Sequence, residues 1–220
     1  MDPRSSEQAK QILTIEVEAI QALVQQIDAH LDAVIDTLFH CRGHILVAGA
    51  GTSSAVAQRF ARLLSCSGTP ALYISAAHSV HGGAGAIRPD DVVFAISKGG
   101  QTKEINQLVE IARKRGAKIV AQTEKPNSRL GQMADVIYPV RAIGDVDPYG
   151  MIATGSSLVN SATGDILCVL LLEKRGYSQE EFGLTHPEGA VGKNYVDGSS
   201  RFFTKQFRLF NLWTIRQPDE

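Results

Sequence analysis

Five short apolar runs constrain this chain more than any other feature. They lie at residues 44–48, 71–75, 91–96, 118–122 and 136–140. Each is a continuous run rather than an alternation of apolar and polar residues. Strands of that kind are buried on both faces, which is the signature of a parallel sheet. Segments with helical spacing stand between and after them, at residues 52–65, about 103–115 and 154–174. Strands and helices in that order predict a three-layer α/β/α sandwich with a five-stranded parallel sheet and right-handed crossovers. With 220 residues the chain is long enough for one sizeable core.

An N-terminal helical segment precedes the first strand. Residues 7–42 contain neither Gly nor Pro. Leu13, Val17, Ile20, Val24, Ile27, Leu31, Val34 and Leu38 recur at alternating steps of four and three, a heptad-like seam on one long helix or two in line. Ile12, Ile15, Leu23 and Ile35 widen the stripe. A wide stripe suits contact on two sides, with the chain's own core and with a partner subunit.

Composition excludes several classes. The balance of 44% apolar and 20% charged residues belongs to globular chains, not disordered ones. A net charge of −1 argues against nucleic acid as a partner, and an anionic ligand would have to be met by a focused site. Cys41, Cys66 and Cys168 form no CxxC pair, so neither a disulfide framework nor a metal centre is expected. The polar start MDPRSSEQAK is unlike a signal peptide, and no uninterrupted apolar run approaches the ~18 residues of a membrane span. No membrane partner is expected, and the cytoplasm is the default location.

In open parallel sheets ligands bind beyond the carboxyl ends of the strands. The segments there are GAGTSS (49–54), AHSVHGGAG (77–85), SKGGQTKE (97–104), TEKPNS (123–128) and GDVDPYG (144–150), and they hold much of the chain's glycine. Gly51, Thr52 and Ser53 follow a strand and open a helix, where backbone N–H groups favour an anion. The third glycine of a dinucleotide fingerprint is Ser54 here, and no acidic residue follows at the right distance, so no dinucleotide cofactor is expected. Ser97, Gly99, Gln101 and Thr102 form a second cradle at a helix start, with hydroxyl, amide and backbone donors suited to a phosphate. A plain N-cap at Thr102 would explain that residue but not the Gly-Gly pair. Glu104 lies in the first turn of the same helix. It could merely complement the helix dipole, or it could act as a general base one turn from a bound anion. His81 and His186 sit in irregular Gly-rich segments, and Asp145 and Asp147 precede a Pro-Tyr-Gly turn.

GAGTSS, HGGAGAI, SKGGQTKEI, DPYG–TGSS and above all HPEGAVGK resemble the sugar isomerase (SIS) domain family, within it the arabinose-5-phosphate isomerases. The resemblance covers roughly residues 8–194. It implies a phosphosugar aldose–ketose isomerase that works through a cis-enediol and needs no cofactor. It also implies a homodimer or homotetramer with the site at a subunit interface. By the same resemblance Ser53, Ser97 and Thr102 bind phosphate, Glu104 moves the proton, His81 and Asp145 orient the sugar, and His186, donated by a neighbouring subunit, assists ring opening. Thr52 stands where the family has a lysine, Gly99 and Gln101 replace a Ser and a Glu, and Asp145 replaces a longer carboxylate. A phosphosugar-sensing module without turnover and a 3-hexulose-6-phosphate isomerase-like enzyme are the alternatives. One domain over residues 1–195 is expected, followed by a tail at 196–220 that begins just past Tyr195. Phe203, Phe207 and Phe210 in that tail have helical spacing.

Overall fold

A computed structural model describes residues 3–143, 146–147 and 149–187 of the chain. Tyr195, the segment HPEGAVGK beyond Pro187 and the aromatic tail lie outside the described residues. The chain divides into two compact units, Met1–Gly176 and Tyr177–Glu220.

The first unit holds the expected sheet. Its strands are β1 (Ile45–Gly49), β2 (Ala71–Tyr73), β3 (Val92–Ile96), β4 (Lys118–Thr123) and β5 (Val136–Pro139). All neighbours pair in parallel, in the order β2-β1-β3-β4-β5. The chain moves outward in one direction after β1 and in the other after β3. A crevice therefore opens between the loops that follow β1 and β3, the place where such sheets bind ligands.

The continuous apolar runs are explained by two separate cores. Ile45 and Val47 of β1, Val92, Phe94 and Ile96 of β3, and Val120 of β4 face one side. There they meet α1 (Pro3–Val24), α2 (Ala29–Phe39), α3 (Thr52–Cys66) and α7 (Thr154–Arg175). Leu46, Ala48, Val93, Ala95, Ile119 and Ala121 face the other side, against α4 (Ala76–Ser79), α5 (Lys103–Lys114) and α6 (Arg129–Met133). Phe60 of α3 meets Phe94 of β3 edge to face, with centroids 5.1 Å apart, a geometry worth ~0.5–1.5 kcal/mol beyond burial. Gly164 lets α7 come close to that ring, because a Cβ there would lie 3.1 Å from Phe60 Cδ2. Among the described residues α7 is long and apolar enough to cross a membrane by composition. Here Val159, Thr163, Leu167 and Leu171 bury its inner face in the first core.

The N-terminal seam is split in two. Asp28 caps α2 by accepting the His30 N–H at 2.9 Å, which breaks the helix between residues 24 and 29. Beyond the break Leu31, Val34 and Leu38 are core residues. Before it, Ala19 and Leu23 are buried, whereas Ile12, Leu13, Val17, Ile20, Val24 and Ile27 are exposed by 40% or more. The first half of the seam thus faces away from the core of its own protomer. Segment 77–85, expected as a loop, contains part of α4 and a 3-10 turn that begins at Gly83.

In the second unit the described residues form α8 (Gln179–Thr185), opened by a capping box between Ser178 and Glu181.

Candidate active site

The two helices that start at the crevice have bare N-termini. Gly51 holds the N-cap position of α3 with φ +56 and has no side chain to cap it; the Ser54 N–H donates to the Gly51 carbonyl at 3.0 Å, while the Thr52 and Ser53 N–H groups have no partner among the described residues. Among the described residues nothing lies within 4 Å of the position a Cβ would take at Gly51, which leaves that side of the turn uncovered by them. Thr102 holds the N-cap position of α5, yet its hydroxyl makes no capping bond. It pairs instead with the Ser97 hydroxyl at 3.0 Å. By contrast α2, α4, α6 and α8 are each capped by a side chain. The plain N-cap reading of Thr102 therefore fails on geometry. The unpaired first-turn N–H groups and the dipoles of α3 and α5 make this end of the sheet attractive to an anion.

Gly49 brings strand and helix together. A Cβ there would overlap the Ser53 carbonyl and come within 2.5 Å of its carbon, so only glycine lets α3 start so close to β1. The result is a cleft of about 260 Å³ lined by Gly49, Gly51, Ser54, Tyr73, Ser75 and Glu104 among others. Glu104 is exposed in the first turn of α5 and shares this cleft with the Gly51 turn. Helix-start N–H groups and hydroxyls in a volume of this size suit a small polar anion, with the Glu104 carboxylate placed to act as a base beside it. Drug-sized ligands occupy ~300–1,000 Å³. A larger cleft of about 400 Å³ lies at the opposite, amino edge of the sheet, where His40, Arg42, Asp90 and Lys118 line it. It is remote from the strand ends that carry the glycine loops.

The structure brings some of the sequence candidates together and leaves others apart. Ser97 is buried, and its backbone N–H donates to the Gln122 carbonyl at 3.0 Å, which ties the cradle to β4. Gly99 and Gln101 are exposed on the same loop. Thr52 is exposed and Ser53 half-buried at the start of α3. His81 is exposed in the turn after α4, its N–H donating to the His78 carbonyl, and it is not among the residues that line the cleft. Asp145 lies outside the described residues. Asp147 accepts the N–H groups of Tyr149, Met151 and Ile152 at 2.8–3.1 Å, so the turn chemistry expected of that segment accounts for it. The Ile152 N–H is the main reason its carboxyl sits below the usual 3.8, helped by Met151 and Tyr149. In the second unit His186 follows α8, stacks on Phe182 at 3.9 Å and bonds through Nδ1 to the Phe182 carbonyl and the Thr185 hydroxyl.

Tyr73, Ser54 and Ser75 line the cleft, although sequence analysis assigns none of them to the site. Tyr73 and Ser75 end and follow β2, and only the placement of β2 beside β1 carries them here. Ser54, the last residue of GAGTSS, stands where a dinucleotide fingerprint has glycine. It brings a hydroxyl to the cleft wall instead.

The chain matches the SIS domain family over residues 38–159. It is 32% identical over 187 residues to the arabinose 5-phosphate isomerase KdsD of Escherichia coli K12, which covers 85% of this chain and 57% of the relative. The chain thus spans little more than half the length of that enzyme. Among solved structures, a candidate sugar-phosphate isomerase of Listeria monocytogenes superposes with a TM-score of 0.82 at 31% identity, over 85% of this chain and 99% of the other. The E. coli CFT073 protein c3406, solved in complex with arabinose 5-phosphate, also gives 0.82, at 26% identity over 85% of this chain and all of the other.

Proposed function

This chain belongs to the SIS domain family, and on that premise we propose that it interconverts an aldose phosphate and a ketose phosphate, with arabinose 5-phosphate as the first substrate to test. The observation that carries the reading is Glu104. A carboxylate sits in the first turn of α5, in one cleft with the open Gly51 turn and two residues after Thr102, whose hydroxyl pairs with that of Ser97. The sugar phosphate would be held by the α3 and α5 N-termini, with Gly51, Thr52, Ser53, Ser97, Gly99, Gln101 and Thr102 around it. Glu104 would take the proton from C2 of the open-chain aldose while O1 gains one, giving a cis-enediol. Return of the proton to C1 and loss of the O2 proton give the ketose, so every atom and electron is conserved. His81 and Asp145 would orient hydroxyls, and His186 would serve ring opening. The similarity to KdsD and to c3406 with its bound arabinose 5-phosphate supports the choice of sugar.

Glu104 is open to solvent in one protomer, and α1 and the turn after it expose six large apolar residues. Both support a homodimer or homotetramer in which a neighbouring subunit covers the cleft. The SIS domain would run through residue 195 and so include His186. Thr52 carries no charge, so the cation that the family's lysine supplies must come from elsewhere or be dispensed with.

The test is a panel of pentose and hexose phosphates assayed for turnover and for solvent deuterium incorporation at C1 and C2. Wild type should isomerise at least one, and Glu104→Gln should lose both turnover and exchange. Binding without exchange by wild type would make the chain a phosphosugar sensor. Full activity in Glu104→Gln would remove the mechanism.

A further inference from the structure

The Ser97–Thr102 loop is held from behind by groups that sequence analysis does not assign to the site. The Lys98 carbonyl accepts two hydrogen bonds, from the Glu124 N–H and the Thr123 hydroxyl, each at 3.1 Å. The Gly100 carbonyl likewise accepts two, from the Leu130 N–H at 3.1 Å and from Asn106 Nδ2 at 3.3 Å. Both lone pairs of each oxygen are therefore engaged, and both carbonyls are turned toward β4, α5 and α6.

The peptide plane carries this constraint to the next residue. All peptides of the described chain are trans. In a trans peptide the N–H of residue i+1 points opposite to the carbonyl of residue i. Drawing the Lys98 carbonyl inward therefore aims the Gly99 N–H outward, and the Gly100 carbonyl does the same for Gln101. Gly99 and Gln101 are exposed, and neither N–H has a hydrogen-bond partner among the described residues. Gly100 makes the alternation possible by adopting φ +64, the left-handed conformation in which successive N–H groups form an anion-binding concavity.

Asn106 shows that the arrangement is specified. It is only 3% exposed, yet its Oδ1 has no partner among the described residues. A buried orphan acceptor costs about 1–3 kcal/mol, and a leucine of similar shape would avoid that cost. What leucine could not do is donate to the Gly100 carbonyl. Thr123, 2% exposed, is engaged twice: its hydroxyl donates to the Lys98 carbonyl and accepts the Lys125 N–H at 3.2 Å, and valine would fill its space without either bond.

We propose that Thr123 and Asn106 are positioning residues of the anion site, which act through the Lys98 and Gly100 carbonyls to aim the Gly99 and Gln101 N–H groups at a bound phosphate. This rests on the phosphosugar reading of the loop. Thr123→Val and Asn106→Leu keep shape and remove the donor; Thr123→Val also removes the acceptor of the Lys125 N–H, and Thr123→Ser keeps both bonds. The experiment is a titration of the whole chain with inorganic phosphate, followed by calorimetry and by ¹H–¹⁵N spectra. In wild type the Gly99 and Gln101 amide signals should shift on phosphate addition. Thr123→Val and Asn106→Leu should each weaken phosphate binding about tenfold, the loss expected of one hydrogen bond to a charged group. In Thr123→Val the Gly99 signal, in particular, should cease to respond, and Thr123→Ser should restore it. If Asn106→Leu does not fold, the two Thr123 variants carry the test. If both valine and serine variants bind like wild type, or both lose binding equally, the positioning role is overturned. If wild type shows no phosphate response in residues 97–102, the phosphosugar reading of the loop falls with it.

Discussion

Gly99 and Gly100 are neighbours of the same type, and the structure assigns them opposite tolerance to an added methyl group. Gly100 has φ +64, a conformation that costs an L-residue about 1–2 kcal/mol. A Cβ there would also overlap the Ser128 hydroxyl and come within 2.5 Å of Ser128 Cβ. Overpacking of that kind costs about 1–3 kcal/mol. Gly100→Ala should therefore destabilise the fold by about 2–5 kcal/mol, a large share of the roughly 5–15 kcal/mol a domain commonly has. Gly99 has no positive φ, and no atom of the described residues lies within 4 Å of its Cβ position. Gly99→Ala should cost less than about 0.5 kcal/mol, as surface changes do. A second substitution separates strain from overlap. Ser128 is the N-cap of α6, accepting the Gly131 N–H at 3.3 Å, and glycine at an N-cap costs only a few tenths of a kcal/mol. Ser128→Gly removes both overlapping atoms. The double variant Gly100→Ala/Ser128→Gly should then be more stable than Gly100→Ala alone, by about the overlap cost of 1–3 kcal/mol. Urea unfolding of the four proteins gives the cycle, with midpoints compared at a common slope. Additive costs would refute the overlap, and equal costs for Gly99→Ala and Gly100→Ala would refute the geometry of the loop.

Two other outcomes test separate parts of the structure. Asp147 has a folded pKa below its unfolded one, so its contribution to the 147–152 turn is complete above about pH 4 and fades as pH falls through the folded value. Amide exchange at Ile152, corrected for its intrinsic rate, should speed up as pH falls from about 6 to about 3 in wild type and lose that pH dependence in Asp147→Asn, and unchanged protection in wild type at about pH 3 would contradict it. Leu13→Glu/Val17→Glu changes two side chains that are 61% and 52% exposed, so the fold should persist while the proposed oligomer dissociates. Sedimentation equilibrium reads this directly, and a variant of wild-type mass, or a monomeric wild type, would remove α1 from the interface.

The strands, the long helices and the end of the sheet that carries the candidate site were legible in the chain itself. These are local properties. Continuous apolar runs such as 91–96 admit only a strand covered on both faces, and positive φ at 51 and 100 calls locally for glycine, whereas the crowding at 100 comes from Ser128 of α6. Ser97, Thr102 and Glu104 can be named as candidates for the same reason, because they follow β3 within one loop and one helical turn. The N-terminal seam was only half legible. Periodicity shows that residues 13–38 share an apolar stripe, but whether a stripe meets its own core depends on what packs beside it, and the Asp28 cap divides the two fates.

Tertiary structure alone decided which distant groups meet. The strand order 2-1-3-4-5 sets β2 beside β1, which brings Tyr73 and Ser75 to the cleft, and β4 beside β3, which brings Thr123 behind Lys98. Asn106 is one polar residue on the inner face of an amphipathic helix, and nothing in its own segment marks it. Its role exists only because the Gly100 carbonyl is folded back over it. Local pattern determined the elements of this protein because helices and strands are selected by neighbours a few residues apart. The site's donors and their aim are contacts between elements, and those are settled by sheet order and packing, which no stretch of sequence contains by itself.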